Sequence, residues 1–288
     1  MNLQDRKIKI IRKDQRDRLN FHDGDLPFFS IPTLDNLGIR NGFTTKFGGV
    51  SIGDASELSM SCRKQSPEIA AENYKRVLKA LKMNEKRPVL SYQTHTANIR
   101  VVREEDAGKG PFKPRDYVDV DGLITNIPDT PLVTVHADCV PLYFYDPVNK
   151  AIGLSHAGWR GTAGLIALNT VKMMQEVFKT DPCNIIAAIG PSICPECYEV
   201  GAEAAEVFKT EFHEICEISE ILKPHKENIP GKYMLDLQKA NKFVMTYAGI
   251  KEENIFMTDI CTKCNSELLF SHRAHGDRRG LMAAVISL

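Results

Sequence analysis

His136 and Cys139 stand three residues apart in the run HADC, and a second imidazole, His156, follows in HAGWRGT after a short apolar return. Thiolate and neutral imidazole are ligands that zinc takes readily, and a catalytic zinc keeps three protein ligands with its fourth position open. Cys139 and His156 supply two of them, and His95, in QTHT, is the natural third. The same thiol and imidazole also suit nucleophilic chemistry, with Cys139 attacking and His156 as its base. Arg160 lies just ahead of Gly161 and Thr162, where a helix is expected to start, so a guanidinium and free backbone N–H groups are available for an anion such as phosphate. Asp138 adjoins a ligand and is the carboxyl expected to handle a proton, since a carboxyl beside a metal and a histidine can be tuned for it.

These side chains need elements to position them. PLYFYD and AIGLS are short aromatic and aliphatic runs joined by the turn sequence DPVNK. Paired as antiparallel strands, they bring Cys139, just before the first, and His156, just after the second, to one end of a hairpin. RPVLSYQTHT reads as a buried strand delivering Gln93 and His95, with NIRVV, VDVDGLITN and PLVTVHADC as further strands. His136 alternates with Asp138 and is expected beside the metal or in the pocket, while Asp121 and Asp138 are placed to orient imidazoles.

Ser66 caps a helix with Pro67 in its first turn and Ile69, Tyr74, Val77, Leu78 and Leu81 on one apolar face. GTAGLIALNTVKMMQEVFK predicts one long helix striped by Leu165, Leu168, Val171, Met174 and Phe178. NIIAAIGPSI is a strand, ECYEVGAEAAEVFKTEF and LDLQKANKFVMTYAG are helices, and Gly249 ends the second of these. NIFMTDICTKC and the C-terminal run are strands around a basic loop that carries Arg273. GFTTKFGGVSIG is either an anion loop that includes Ser51 or a hairpin turn needing glycine. The stretch from Glu104 to Tyr117 reads as a surface excursion.

The chain of 288 residues shows no repeat or linker, so residues 21–288 read as one domain behind a charged extension, 1–20, that contains the edge-strand candidate KIKII. Lys plus Arg and Asp plus Glu balance at 37 each, so no bulk field favours nucleic acid or a membrane, and a small ligand is the better partner. No apolar run is long enough to span a bilayer and no signal sequence opens the chain, so a cytoplasmic protein is expected. Its eight cysteines are then reduced thiols or metal ligands rather than a disulfide framework. Cys194-x-x-Cys197 and Cys261-x-x-Cys264 have the spacing of a structural zinc site, but 63 residues separate the pairs and buried core thiols are the preferred reading.

GFTTKFGGVSIG, QTHTANIRVV, DGLIT, HADCVPLYFYDP, HAGWRGT, GPSICPECYEVG, CTKCN and FSHR, in this order, resemble the blocks of the YfiH family. That family is also labelled laccase-domain or multicopper polyphenol oxidase, and its members are described as purine nucleoside phosphorylases. The resemblance implies an α+β fold, a single-domain α/β/β/α layering with mixed sheets. It also implies one Zn2+ held by His95, Cys139 and His156, the three that ligand chemistry selects. The activity implied is phosphorolysis of adenosine, inosine and S-methyl-5'-thioadenosine, with deamination of adenosine as a side reaction. The sequence departs from the family pattern at Thr96, at Leu58-Ser59-Met60, at Asn73-Tyr74 and at Arg278-Arg279-Gly280, outside the three ligands.

Two other classes compete. A cysteine hydrolase built on Cys139 and His156, acting on peptidoglycan precursors, is the alternative. A copper polyphenol oxidase is disfavoured, because such enzymes need dense His-x-His ligation and the eight histidines here include no such pair.

Overall fold

The computed structural model describes residues 8–11 and 18–288. Two six-stranded sheets face one another. The first runs Asn20–His22, Phe28–Ser30, Arg40–Thr44, Met282–Ser287, Leu132–His136 and Val89–Leu90. The second runs Ile255–Met257, Ile186–Ile189, Val140–Asp146, Ala151–Ala157, Gly122–Thr125 and Ile99–Val101. Both are mixed: Val89–Leu90, Ile99–Val101 and Ile255–Met257 pair parallel with their neighbours, and the remaining pairings are antiparallel.

The strands of the hairpin are wholly buried, and side-chain alternation decides what each face meets. Leu142 and Phe144 point to a helical layer with Val171, Met174, Phe208 and Val244, while Tyr143, Tyr145, Ile152 and Leu154 point to the other sheet and meet Phe43, Leu132 and Ile286. The outer face of the first sheet, with Val133, Ala283 and Val285, is covered by Tyr74, Val77 and Leu78 of the Pro67–Ala80 helix. Helix, sheet, sheet and helix thus form the four layers that the resemblance implies.

The Ser66 hydroxyl accepts from the Ile69 amide and caps that helix. The hairpin pairs as expected, Val140 opposite Ala157 and Pro141 opposite His156, so His156 lies within the second strand rather than just after it.

The expected long helix after Arg160 is two helices, Trp159–Ala163 and Ile166–Phe178. Leu165 between them is left-handed, φ 58°. The break resets the helical phase, so Ile166, Ala167, Thr170, Val171 and Met174 form the buried stripe, and only Val171 and Met174 keep the expected positions. Gly164 is the C-cap of the first helix, its amide donating to the Arg160 carbonyl, and it passes so close to Ala97 that a β-carbon there would sit 3.1 Å from Ala97 Cβ.

Strand and helix lengths differ elsewhere. RPVLSYQTHT keeps only Val89–Leu90 as strand, and ECYEVGAEAAEVFKTEF divides into a 3-10 turn, the strand Glu199–Gly201 and the helix Ala202–Glu211. KIKII begins outside the described residues; within them Ile10 makes a single antiparallel bridge to Ile260. Among the described residues no helix is long and apolar enough to cross a membrane.

Candidate metal centre and its two cavities

The hairpin and the loop after Leu90 meet as the sequence requires. One donor atom each from His95, Cys139 and His156 lie within 4.8 Å of one another. Cys139 Sγ is 4.0 Å from His95 Nε2, and the two imidazoles stand edge to face at 5.1 Å. A tetrahedral ion with Zn–S near 2.3 Å and Zn–N near 2.0 Å needs sulfur and nitrogen about 3.6 Å apart, so small rotations close the set around an ion. His156 is buried and His95 is exposed, which leaves one side of the centre open.

Asp121 builds this geometry. Its Oδ1 accepts from His156 Nδ1 at 2.8 Å and from the His95 amide at 3.1 Å. Its Oδ2 accepts from the amides of Thr94 and Thr96 and from the Thr96 hydroxyl. The loop therefore wraps one carboxylate, and His95 takes a left-handed φ of 67° to do so. With Nδ1 held by Asp121, His156 turns its Nε2 toward Cys139, and that nitrogen would take a metal once its proton is lost, as in histidine ligands held by a carboxylate. Burial would push the Asp121 carboxyl up; the His156 bond and the Thr96 and Thr94 amides hold it below the usual range.

Burial would also push the Cys139 thiol up, but the charge and hydrogen bonds of His156 and His95 bring it down to about 6. Against burial, the Cys139 thiolate and Asp121 carry His156 up to about 9. His136, fully buried between the sheets, is pushed well below its ordinary value, first by burial and then by the charge of His156. Its Nε2 bonds Thr134 Oγ1 at 2.7 Å and its Nδ1 the Cys139 carbonyl at 3.1 Å, so it buttresses Cys139 and has no nitrogen left for a metal.

Gly158 approaches the centre with an ordinary φ of −74°, and only the missing β-carbon makes room. A β-carbon there would lie 2.7 Å from His95 Cδ2 and 3.2 Å from Cys139 Sγ. Gly158→Ala is expected to fold but to bind metal about ten-fold or more weakly, since misdirected ligands cost that much. Competition with a chelator measures this, and unchanged affinity would show the ligands free to move aside.

Two cavities flank the centre, of about 280 Å³ and about 440 Å³, and His95, Ala137, Cys139 and Arg279 line both. The smaller has apolar walls from Met60, Leu90, Val135 and Leu281, with Arg63, Lys64 and Arg115 at its edge. Arg63 and Arg115 sandwich Tyr92, each guanidinium carbon 4.5 Å from its ring centre. The larger is lined by Asp138, Trp159, Arg160, Tyr198, His272 and Arg273 among others. Arg160 lies over Trp159 at 4.2 Å and Arg273 over Tyr198 at 5.3 Å, so each guanidinium rests on an aromatic face. Arg279 presents a buried Nε–H without a hydrogen-bond partner.

Of the residues singled out in the sequence, His95, Cys139, His156, Asp138, Arg160 and Arg273 converge here, and Ser51 does not. The Ser51 hydroxyl is buried, donates to Gln65 and accepts from Asn73 and the Ser59 amide, and Ser51 lines neither cavity. Its loop is a structural turn: a β-carbon at Gly49 would collide with the Glu57 carbonyl and Leu58 Cα. Asp138, left-handed at φ 92°, has both oxygens engaged, Oδ1 by the Thr262 hydroxyl at 2.6 Å and Oδ2 by the Arg273 amide at 2.7 Å. It ties the Arg273 segment to the ligand strand while lining the larger cavity. Arg160 belongs to a helix of only five residues, so the guanidinium, rather than a long helix dipole, is what it offers.

Sequence reasoning passed over Arg63 and Arg115 as cavity residues and named Arg279 only as a departure from the family pattern. Their signal was a set of basic residues in segments without apolar period, CRK, KPR and DRR. Arg115 in particular makes the supposed surface excursion part of a cavity wall, its guanidinium bonded to the Ser91 carbonyl.

The family model described as "Multi-copper polyphenol oxidoreductase laccase" matches residues 40–288. "Purine nucleoside phosphorylase YlmD" of Geobacillus stearothermophilus is 36% identical over 254 residues, covering 86% of this chain and 90% of its own. "Adenosine deaminase RL5" from an unknown prokaryotic organism is 34% identical over 199 residues, 67% of this chain and 71% of that one. The crystal structure of Bacillus licheniformis hypothetical protein YfiH superposes with a TM-score of 0.86 at 32% identity, covering 93% of this chain and 98% of that chain. A match of that length, among relatives that share both sequence and fold, means that the chain belongs to the laccase-domain family of the YlmD and YfiH proteins.

Proposed function

We propose that the protein is a zinc-dependent purine nucleoside phosphorylase acting on adenosine, inosine and S-methyl-5'-thioadenosine, with deamination of adenosine as a side activity of the same site. The observation that carries the reading is a ligand triad between two cavities, a smaller one with apolar walls and a cationic edge and a larger one in which Arg160 and Arg273 lie on aromatic rings. Relatives named as purine nucleoside phosphorylase and adenosine deaminase support it.

The apolar walls suit a purine ring, which places ribose C1′ near the junction. Arg160 and Arg273, each over an aromatic ring, and Arg279, which lines both cavities, suit phosphate, because planar guanidinium donors match its oxygens. An oxygen of hydrogen phosphate forms the new bond to C1′ as the N-glycosidic bond breaks; the electron pair of the broken bond stays on the purine nitrogen, and the proton given up by the hydrogen phosphate ends on the purine. The arginines hold the nucleophile in line and keep its charge neutralised while the ribose becomes cation-like. Zn2+, when bound by His95, Cys139 and His156, would supply Lewis acidity at the junction. Two imidazoles and one thiolate are too few for a multicopper centre, so the family label does not describe the chemistry favoured here.

The test is turnover of adenosine with and without phosphate, following adenine, ribose 1-phosphate and inosine. Adenine and ribose 1-phosphate are expected only with phosphate, and Arg279→Ala is expected to raise the phosphate KM about ten-fold or more, the worth of a charge-assisted bond. Turnover indifferent to phosphate, or none with any purine nucleoside, overturns the reading. The thiolate and imidazolium of the metal-free pair favour a second one, the cysteine hydrolase acting on peptidoglycan precursors, with Cys139 as nucleophile. Activity that survives chelation but is lost on alkylation of Cys139 would select it.

A further inference from the structure

The two CxxC pairs are brought together by a feature of the sheet. Ile186–Ile189 and Ile255–Met257 are parallel neighbours, so the loops that leave their C-terminal ends run side by side. A further parallel bridge, Ser192 to Cys261, prolongs the pairing into those loops. The long chain segment between the pairs is the crossover that parallel strands require, and it does not separate the cysteines in space.

All four sulfurs, of Cys194, Cys197, Cys261 and Cys264, lie within 4.8 Å of one another. Cys197 Sγ and Cys264 Sγ are 3.6 Å apart. A tetrahedral ion with four Zn–S bonds near 2.3 Å sets neighbouring sulfurs about 3.8 Å apart, so this edge already has the required length. Each pair is a tight turn, with Cys197 N–H donating to the Cys194 carbonyl and Asn265 N–H to the Cys261 carbonyl. The amides of Cys194 and Cys264 point at Cys261 Sγ, at 3.3 and 3.5 Å. Backbone donors aimed at one sulfur are what a metal-bound thiolate accepts, since it keeps excess negative charge. Cys194 and Cys261 are buried and all four thiols are free of disulfides.

We infer that Cys194, Cys197, Cys261 and Cys264 hold a second zinc ion, a closed structural site separate from the His95, Cys139 and His156 centre. On binding, each thiol gives up its proton to solvent and becomes a thiolate ligand, and no position is left for substrate. The ion cross-links the two loops that shape the larger cavity. Ile193 N–H donates to the Asp138 carbonyl, the Thr262 hydroxyl to the Asp138 carboxylate, and Tyr198, next to Cys197, carries Arg273 on its ring.

Metal analysis of protein purified without chelator tests this. Wild type is expected to hold two zinc equivalents, and Cys139→Ala and the double variant Cys194→Ser with Cys197→Ser one each. The double variant is expected to melt roughly 10 °C lower, because the ion's binding energy is folding energy. If that variant does not fold, cobalt substitution of the wild type decides: four cobalt–sulfur bonds beyond that of Cys139 should add strong sulfur-to-metal charge-transfer absorption. One zinc equivalent in wild type that disappears in Cys139→Ala, or a Cys197–Cys264 disulfide in unreduced peptide maps, overturns the inference. Neither outcome depends on what the first centre catalyses.

Discussion

Purified Cys139→Ala is expected to be at least about a thousand-fold slower than wild type in the proposed purine nucleoside cleavage and to bind no metal between His95 and His156. The substitution removes the single sulfur ligand while leaving the hairpin intact, because Cys139 precedes the Val140–Asp146 strand and lies outside its pairing with Ala151–Ala157. Loss of a Lewis acid is worth several kcal/mol of barrier, which at about 1.4 kcal/mol per factor of ten gives that rate. The metal-free site has its own signature. Cys139, brought down to about 6, is a thiolate and His156, carried up to about 9, is an imidazolium across the interval between those values. A metal entering in that interval must expel the His156 proton, so affinity should rise with pH toward about 9 and level off above it. Below about 6 Cys139 must also lose its proton, and the dependence steepens. Calorimetric titration of zinc in buffers of different ionisation enthalpy counts these protons. A pH-independent affinity, or a Cys139→Ala variant with wild-type metal content and activity, would rule out this ligand set.

Substitution of Asp121 should rank next, although Asp121 touches neither cavity. Asp121→Asn preserves shape, yet whichever oxygen becomes the amide NH2 must face donors, either His156 Nδ1–H and the His95 amide or the amides of Thr94 and Thr96. The carboxylate accepts all of them and the carboxamide cannot. Metal affinity is expected to fall 10- to 100-fold, the usual cost of losing a carboxylate behind a histidine ligand. The metal-free variant should also unfold about 3 kcal/mol more easily, since a buried charged partner of His156 is removed. Measuring stability in chelator separates this cost from metal loss. Metal affinity within two-fold of wild type would mean that His95 and His156 are oriented by something else.

Local pattern made much of this chemistry legible in the sequence alone. The hairpin follows from two apolar runs and a turn, so the convergence of Cys139 and His156 needed no tertiary information beyond strand pairing. The Ser66 cap and the face carrying Tyr74, Val77 and Leu78 are likewise properties of a short window. What tertiary structure decided are cases where a distant group overrides the local pattern. The apolar stripe through Leu165 predicts an unbroken helix, but the chain divides it at Gly164, where it passes close to Ala97, and at a left-handed Leu165. Left-handed backbone at His95 has no local cause and arises because a carboxylate 26 residues away collects the amides of its loop. Asp138 gains its partners, the Thr262 hydroxyl and the Arg273 amide, only when segments more than a hundred residues away fold against it, and Ser51 looks available for an anion until Asn73 and Gln65 claim its hydroxyl. The cysteine quartet is the clearest case, because spacing along the chain keeps the two pairs apart and parallel strand pairing brings the four sulfurs together. Short-range sterics and hydrophobic period are written in adjacent residues. Hydrogen-bond ownership and ligand convergence depend on which remote segments the sheets bring into contact, and only the folded chain defines those.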